Sequence, residues 1–390
     1  MQAQVDNIHN EGERLYFTLK GVNVSVANAL RRTFLSNIET IVFRGFPHEA
    51  NQIDIQKNST KFNNEYIKQR ISCIPIMNSD DANFDNFIQS YQIIIDESNS
   101  TPEQKDITTE HIQMKNKNTG KLESKEFVKK YFPPDPITQE YIIICILYPN
   151  YNQANEENEH IHLIADLDKG CGEDNSCWNV VHHCAYENVR NESKIQDEAS
   201  KIENPIEKQD FLLLDAQRIV IPNEFKMSIE SLGIFTNETL VRKACEYIIQ
   251  CLRTMYGDLH EQQKQSDPIV SYDQNETHMT SNHGSLHQHI QNTKDGYFSI
   301  YKEDDFYVLK LKKDDYTIGK LLEYYFYEMY ERNVHFVGFK KKHPTEKEGY
   351  IYVKFNTKHS DQDTYIKVLT CIEKLIQMFT TIQNYFPLLD

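Results

Sequence analysis

Apolar residues recur at Val26, Leu30, Phe34 and Ile38, with Ala27 and Ala29 beside them, so residues 24–38 carry one stripe at the period of a helix. Asn23 and Ser25 stand where an N-cap is needed, and no Pro interrupts the segment. Residues 15–19 alternate as a strand does, and the apolar run 41–46 stops at Pro47, so the chain is expected to open strand, helix, strand. Residues 52–56, 91–95, 141–147 and 160–165 read as further strands, and 62–76 as a short helix running into Pro75. Residues 96–126 hold Lys, Asn, Thr and Gln with few large apolar side chains and are expected to form an exposed or partly disordered excursion.

Strand-like alternation returns over residues 211–220 and 225–231. After Gly233 a second amphipathic helix is expected, capped by Thr236 or Asn237. Its apolar face is Leu240, Val241, Ala244, Cys245, Ile248, Ile249, Leu252 and Met255, with Gly257 as its C′ residue. Residues 258–294 are dominated by Gln, His, Ser, Asn and Asp and read as a linker.

Beyond it the opening order recurs. Residues 297–311 alternate, 316–330 form a helix with Ile318, Leu321, Leu322, Tyr325 and Met329 on one side, and 334–340 and 350–355 read as strands. A last helix from Thr364 places Ile366, Leu369, Ile372, Ile376 and Phe379 on one face. The pattern predicts an α+β chain: a discontinuous domain over 1–48 and 208–257, an inserted β-rich domain over 49–207, a linker over 258–296 and a smaller domain over 297–390. The wide apolar stripes of the two helix-bearing domains are expected to pack on each other as an intrachain pseudo-dimer. A flexible linker of about forty residues spans roughly 35 Å, enough to join docked domains.

The 390 residues, with 39 % hydrophobic and 11 % aromatic content, are ample for two to three cores. A formal net charge of −16 makes the surface repel phosphate backbones, so nucleic acid is expected to be reached only through other subunits. No run reaches the roughly 18 apolar residues that span a bilayer, and the start is polar, so a soluble intracellular protein without membrane contact is expected. Eight cysteines at irregular spacings do not form a disulfide framework.

Arg31 and Arg32 lie about 100° apart on the first helix of an otherwise acidic protein. They read either as solvated helix charges or as bidentate partners for carboxylates at an interface. Cys171, Cys177, His182, His183 and Cys184 are the cluster that suggests a metal, and a metal-dependent enzyme is the alternative they raise; gaps of five and six residues fit tight Cys pairs poorly, so no metal is expected. His283, His287 and His289 read as an incidental His-rich tract. Trp178, the single Trp, is either core or an interface anchor. There is no P-loop, Gly-x-Gly-x-x-Gly or His-Glu-x-x-His motif, and no cofactor is expected.

Four segments together resemble a known family. VNVSVANALRRTFLS resembles the helix motif of the α-type subunit of multi-subunit RNA polymerases, a motif shared by its archaeal D-type counterpart and by the third-largest subunit of polymerase II. FNNEYIKQRISCIPI (62–76), GCGEDNSCWNVV (170–181) and FKMSIESLGIFTNETLVRKA (225–244) resemble its following motifs in order. DDYTIGKLLEYYFYE (314–328) and VHFVGFKKKHPTEKEGYIYVKFNT (334–357) are similar to the small partner of that subunit, the archaeal L-type protein or the eleventh subunit of polymerase II, with Tyr316 where that family commonly has His. One chain carrying both resembles the fused subunit of some large DNA viruses that transcribe in the host cytoplasm, which implies a place there and in the virion.

The resemblance implies a non-catalytic assembly platform that binds the second-largest subunit, with the largest and small accessory subunits joining the complex. Arg31, Arg32, Glu65, Arg70, Gly170, Gly172 and Trp178 would face the second-largest subunit. Val26, Leu30, Phe34, Leu240, Ala244, Ile248, Leu252, Leu321, Leu322, Tyr325, Leu369, Ile372, Ile376 and Phe379 would form the internal dimer. Some relatives carry zinc or an iron–sulfur cluster in the inserted domain; with no Cys between Cys73 and Cys145, that site is expected to be absent.

Overall fold

In the computed structural model the described residues are 3–78, 84–149, 158–264, 271–272, 296–312 and 316–387. His283, His287, His289 and most of the expected linker lie outside them. In chain order the elements are β1 (Gln4–Glu11), β2 (Arg14–Lys20), α1 (Val24–Ser36), β3 (Thr40–Val42), β4 (Ile53–Asn58), α2 (Asn64–Ser72), α3 (Phe84–Ser90), β5 (Tyr91–Ser98), β6 (Lys105–Thr108) and β7 (Gln113–Asn116). Then come α4 (Lys125–Tyr131), β8 (Ile143–Leu147), β9 (His160–Asp166), β10 (Asp168–Gly170), β11 (Val181–Arg190), α5 (Glu192–Ser200), α6 (Pro205–Leu213), β12 (Val220–Ser231) and α7 (Asn237–Lys264). The last are β13 (Ser271–Tyr272), β14 (Phe298–Glu303), β15 (Phe306–Leu311), α8 (Tyr316–Tyr330), β16 (Val334–Lys340), β17 (Gly349–Phe355) and α9 (Asp361–Asn384).

The chain divides into two compact units. One holds residues 1–34, 183–229 and 241–390; the other holds 35–182 and 230–240. The first unit contains a sheet of order β1-β2-β12-β11 and a five-stranded sheet of order β13-β14-β15-β17-β16. Its opening hairpin turns at Gly12-Glu13, and Gly12 supplies the positive φ of +62° that such a tight turn needs. Only Val5 of β1 is buried, which explains why this edge strand has no apolar period to read.

Helices of both expected dimerisation domains lie in this first unit. Val26, Leu30 and Phe34 of α1, Leu240, Ala244, Ile248 and Leu252 of α7, and Leu321, Leu322 and Tyr325 of α8 are all buried; Leu240 falls at the edge of the other unit. Helix α9 packs on α8 and β1. Polar bonds join the first and last segments of sequence: the Tyr325 hydroxyl accepts from Asn23 N at 3.1 Å, and Arg242 Nη1 donates to Phe386 O at 2.9 Å. The Phe17 and Phe386 rings meet edge to face at 5.1 Å.

The second unit is strand-rich, with a sheet of order β4-β9-β5-β7 and the pairs β6-β8 and β3-β10. Alternate residues Ile93 and Ile95, and Ile161, Leu163 and Ala165, point into a core closed by Ile67 and Ile71 of α2 and by Val128 and Tyr131 of α4.

Several expectations are corrected. Residues 96–126 are not a disordered excursion: they build β6 and β7, with Ile107, Ile112 and Met114 buried. Residues 205–213 are helical, because Asn204 caps the segment and Pro205 occupies its first turn. Gly257 does not end α7, which runs to Lys264. On α9, Ile366 is 49 % exposed and Ile376 is half-buried, because the inward face is Val368, Ile372, Leu375 and Phe379. The compact units follow other bounds than the expected domains, which stay a reading of the sequence: residues 183–207 lie in the first unit, where β11 is in the sheet of β12, and 35–48 in the second, where β3 pairs with β10. Among the described residues no helix is long and apolar enough to cross a membrane.

Candidate subunit interface

The glycine-rich segment is fixed by close approach. Strand β10 pairs with β3, setting Gly170 opposite Thr40. A Cβ on Gly170 would lie 2.5 Å from Trp178 Cε3, and one on Gly172 would lie 2.5 Å from the Leu35 carbonyl oxygen. Only glycine lets the loop lie this close to its support. The Glu173 amide bonds Ser36 O at 2.7 Å, and Asn37 Nδ2 bonds Glu173 Oε2 at 2.8 Å.

Asn175 then caps a single 3-10 turn, Ser176–Trp178, that directs the Trp178 ring inward. Trp178 is 5 % exposed and its indole Nε1 donates to Ser72 O at 3.0 Å. The indole is therefore the loop's buried pillar and not an exposed anchor. Arg44 lies over it, 4.7 Å from the ring centroid, with Nε on Asp168, Nη2 on the Lys169 carbonyl and Asp174 at 3.8 Å. Sequence reasoning misses Arg44; the one signal for it is a lone cation inside the apolar run Ile41–Phe46. What the loop offers outward is an acidic rim, Glu173 and Asp174 with Ser176.

The other expected interface residues are placed differently from one another. Glu65 is exposed in the first turn of α2. Arg70 does not pair with Glu65: Nε bonds Ile144 O at 2.9 Å, Nη2 bonds Ile143 O, and the guanidinium lies 5.8 Å from the Tyr66 ring centroid. Arg32 Nε donates to Thr317 Oγ1 of α8 at 3.0 Å, so this residue joins the two sequence halves within one unit. Arg31 is held by Asn28 Oδ1 at 3.1 and 3.2 Å. It also lies near Cys184, whose thiol burial pushes up to about 12 against the opposing pull of the guanidinium.

The cysteine and histidine cluster does not converge. His182 Nδ1 lies 3.1 Å from Glu230 Oε1, His183 Nε2 bonds Ser228 Oγ at 2.9 Å, and Cys177 Sγ approaches Ser72 O at 3.6 Å. Burial raises the Cys171 thiol, against backbone hydrogen bonds at Asp174 and Glu173. Among the described residues no three His, Cys, Asp or Glu side chains are grouped so that they could hold a metal ion.

Residues 16–252 match the family described as the RNA polymerase Rpb3/Rpb11 dimerisation domain, and residues 307–384 match a second family of the same description. A conjugation stage-specific protein of Tetrahymena thermophila is 25 % identical over 186 residues, which cover 42 % of this chain and 53 % of that protein. The match spans about half the length of that relative.

Proposed function

This chain belongs to the RNA polymerase Rpb3/Rpb11 dimerisation-domain family, and from its two such domains we propose an internally fused heterodimer that nucleates a DNA-directed RNA polymerase by binding its second-largest subunit. The observation that carries this reading is the presence of both domains in one polypeptide, with the apolar faces of α1, α8 and α9 buried in one unit. Fusion supplies each half with its partner at an effective concentration of about millimolar, so dimerisation no longer depends on dilution. The role is structural; catalysis belongs to the two largest subunits, nucleic acid is met through the complex, and small accessory subunits complete it.

For the second-largest subunit we assign two surfaces: the acidic rim of Glu173 and Asp174 on its braced loop, and Arg31 on α1. We further propose a viral polymerase working in host cytoplasm and packaged in the virion. Co-expression with a tagged second-largest subunit tests the core of the proposal. Copurification at a one-to-one ratio is expected, with at least a tenfold loss of affinity in Glu173→Lys with Asp174→Lys and in Arg31→Glu. Unchanged affinity in folded variants would remove the assigned surfaces, and failure of the wild-type chain to copurify would remove the function. Exclusively nuclear immunolabelling would remove the proposed location.

A further inference from the structure

Eight cysteines are spaced so irregularly that the sequence suggests no pair, but the fold brings two together. Cys73 caps the C-terminus of α2, is exposed to solvent, and is held by its amide on Gln69 O and Arg70 O at 3.2 Å. Cys177 occupies the middle of the 3-10 turn in the glycine-rich loop. Both segments are pinned at one atom, the Ser72 carbonyl oxygen next to Cys73, which accepts from Trp178 Nε1 at 3.0 Å and Cys177 Sγ at 3.6 Å. Cys73 follows that carbonyl directly in the chain, and it is near enough to Cys177 to help raise the Cys177 thiol. We propose that Cys73 and Cys177 are a reversible dithiol switch whose disulfide fastens the glycine-rich loop to the end of α2.

The two thiols have different roles. Cys73 is open to a small oxidant, and hydrogen peroxide is the class that suits an exposed thiol. Attack by the Cys73 sulfur breaks the peroxide O–O bond and leaves Cys73–SOH and one water. Cys177 is half-buried, and burial together with the neighbouring Cys73 pushes its thiol up to about 11, so it stays protonated and suits the resolving position. Its sulfur then attacks the sulfenic sulfur: the S–S bond forms, the S–O bond breaks, and hydroxide leaves with the Cys177 proton as a second water. In sum two thiols and one peroxide give one disulfide and two waters. A small dithiol reverses the step by exchange. Cys171, in the same loop, is engaged with the backbone at Asp174 and Glu173.

The pairing does not depend on the polymerase reading, although it would stiffen the loop that carries the acidic rim. The test uses the full-length reduced chain treated with equimolar hydrogen peroxide, alkylated in denaturant and mapped by non-reducing peptide mass spectrometry. Two of the eight thiols should be lost, with one linked peptide pair joining Cys73 to Cys177 that dithiothreitol dissolves. Cys177→Ser should leave Cys73 as a sulfenic acid that dimedone captures, and Cys73→Ser should leave Cys177 reduced. A wild-type chain in which Cys73 is oxidised while Cys177 remains free, in which either pairs with another cysteine, or in which no thiol is lost, would overturn the proposal.

Discussion

Gly172 and Gly257 show how differently one residue type can be used. A methyl group on Gly172 would lie 2.5 Å from a backbone oxygen, whereas one on Gly257 meets nothing within 4 Å. Gly172→Ala is therefore expected to cost about 1–3 kcal/mol, while Gly257→Ala, in the interior of α7, should gain about 0.5–1 kcal/mol. Urea midpoints moving in opposite directions check the pair. His359 gives a pH dependence at the same scale. It stacks on Phe355 at 4.1 Å and accepts from Lys367 Nζ at 2.8 Å, and burial followed by the Lys367 charge holds its pKa below the usual 6.5. A histidine whose folded pKa is depressed binds fewer protons folded than unfolded. Stability is thus complete above pH 6.5 and falls as acid protonates the unfolded chain first. His359→Gln should flatten the midpoint between pH 7 and 5; a slope identical to wild type would refute the assignment.

At the scale of elements, α9 tests which helical face is buried. Its apolar residues are numerous enough to support two stripes, and the periodic choice through Ile366 and Ile376 is off by part of a turn. Phe379, fully buried, should cost about 3–5 kcal/mol on truncation to Ala. Ile366→Ala, half-exposed, should stay within about 0.5 kcal/mol; equal losses in a denaturant titration would mean the face is misassigned. The extra turns of α7 have a comparable long-range cause. Asp258 Oδ2 accepts from Phe298 N at 2.9 Å, and the Gln262 amide bonds both Ile300 N at 3.3 Å and Ile300 O at 3.0 Å. These bonds along β14 favour helix past Gly257, where local rules place a stop.

For the whole molecule, the question is whether tether or contact holds the two sequence halves together. Arg32 to Thr317, Asn23 to Tyr325, Arg242 to Phe386 and the apolar faces around them all lie within one unit. A protease site placed within residues 273–295 and cut after folding should therefore leave fragments that co-elute on a native column. Separation of the fragments would mean that the tether was holding them. The cut belongs after Gln262, since cleavage before it would also remove the bonds to β14.

The sequence by itself determined the strong periodic elements: α1, α8 and β2 were legible because their apolar spacing is set by neighbours a few residues away. The ordered motifs also carried the family, with both dimerisation domains. Tertiary structure alone decided that Trp178 is a pillar under Arg44, that Arg32 turns to Thr317, that Arg70 serves two carbonyls, and that Cys177 reaches the Ser72 carbonyl beside Cys73. The physical reason is separation along the chain. A helix period is written in residues that touch across one turn, but these side chains find partners tens to hundreds of positions away, and no local pattern encodes which distant carbonyl, ring or thiol the fold brings near.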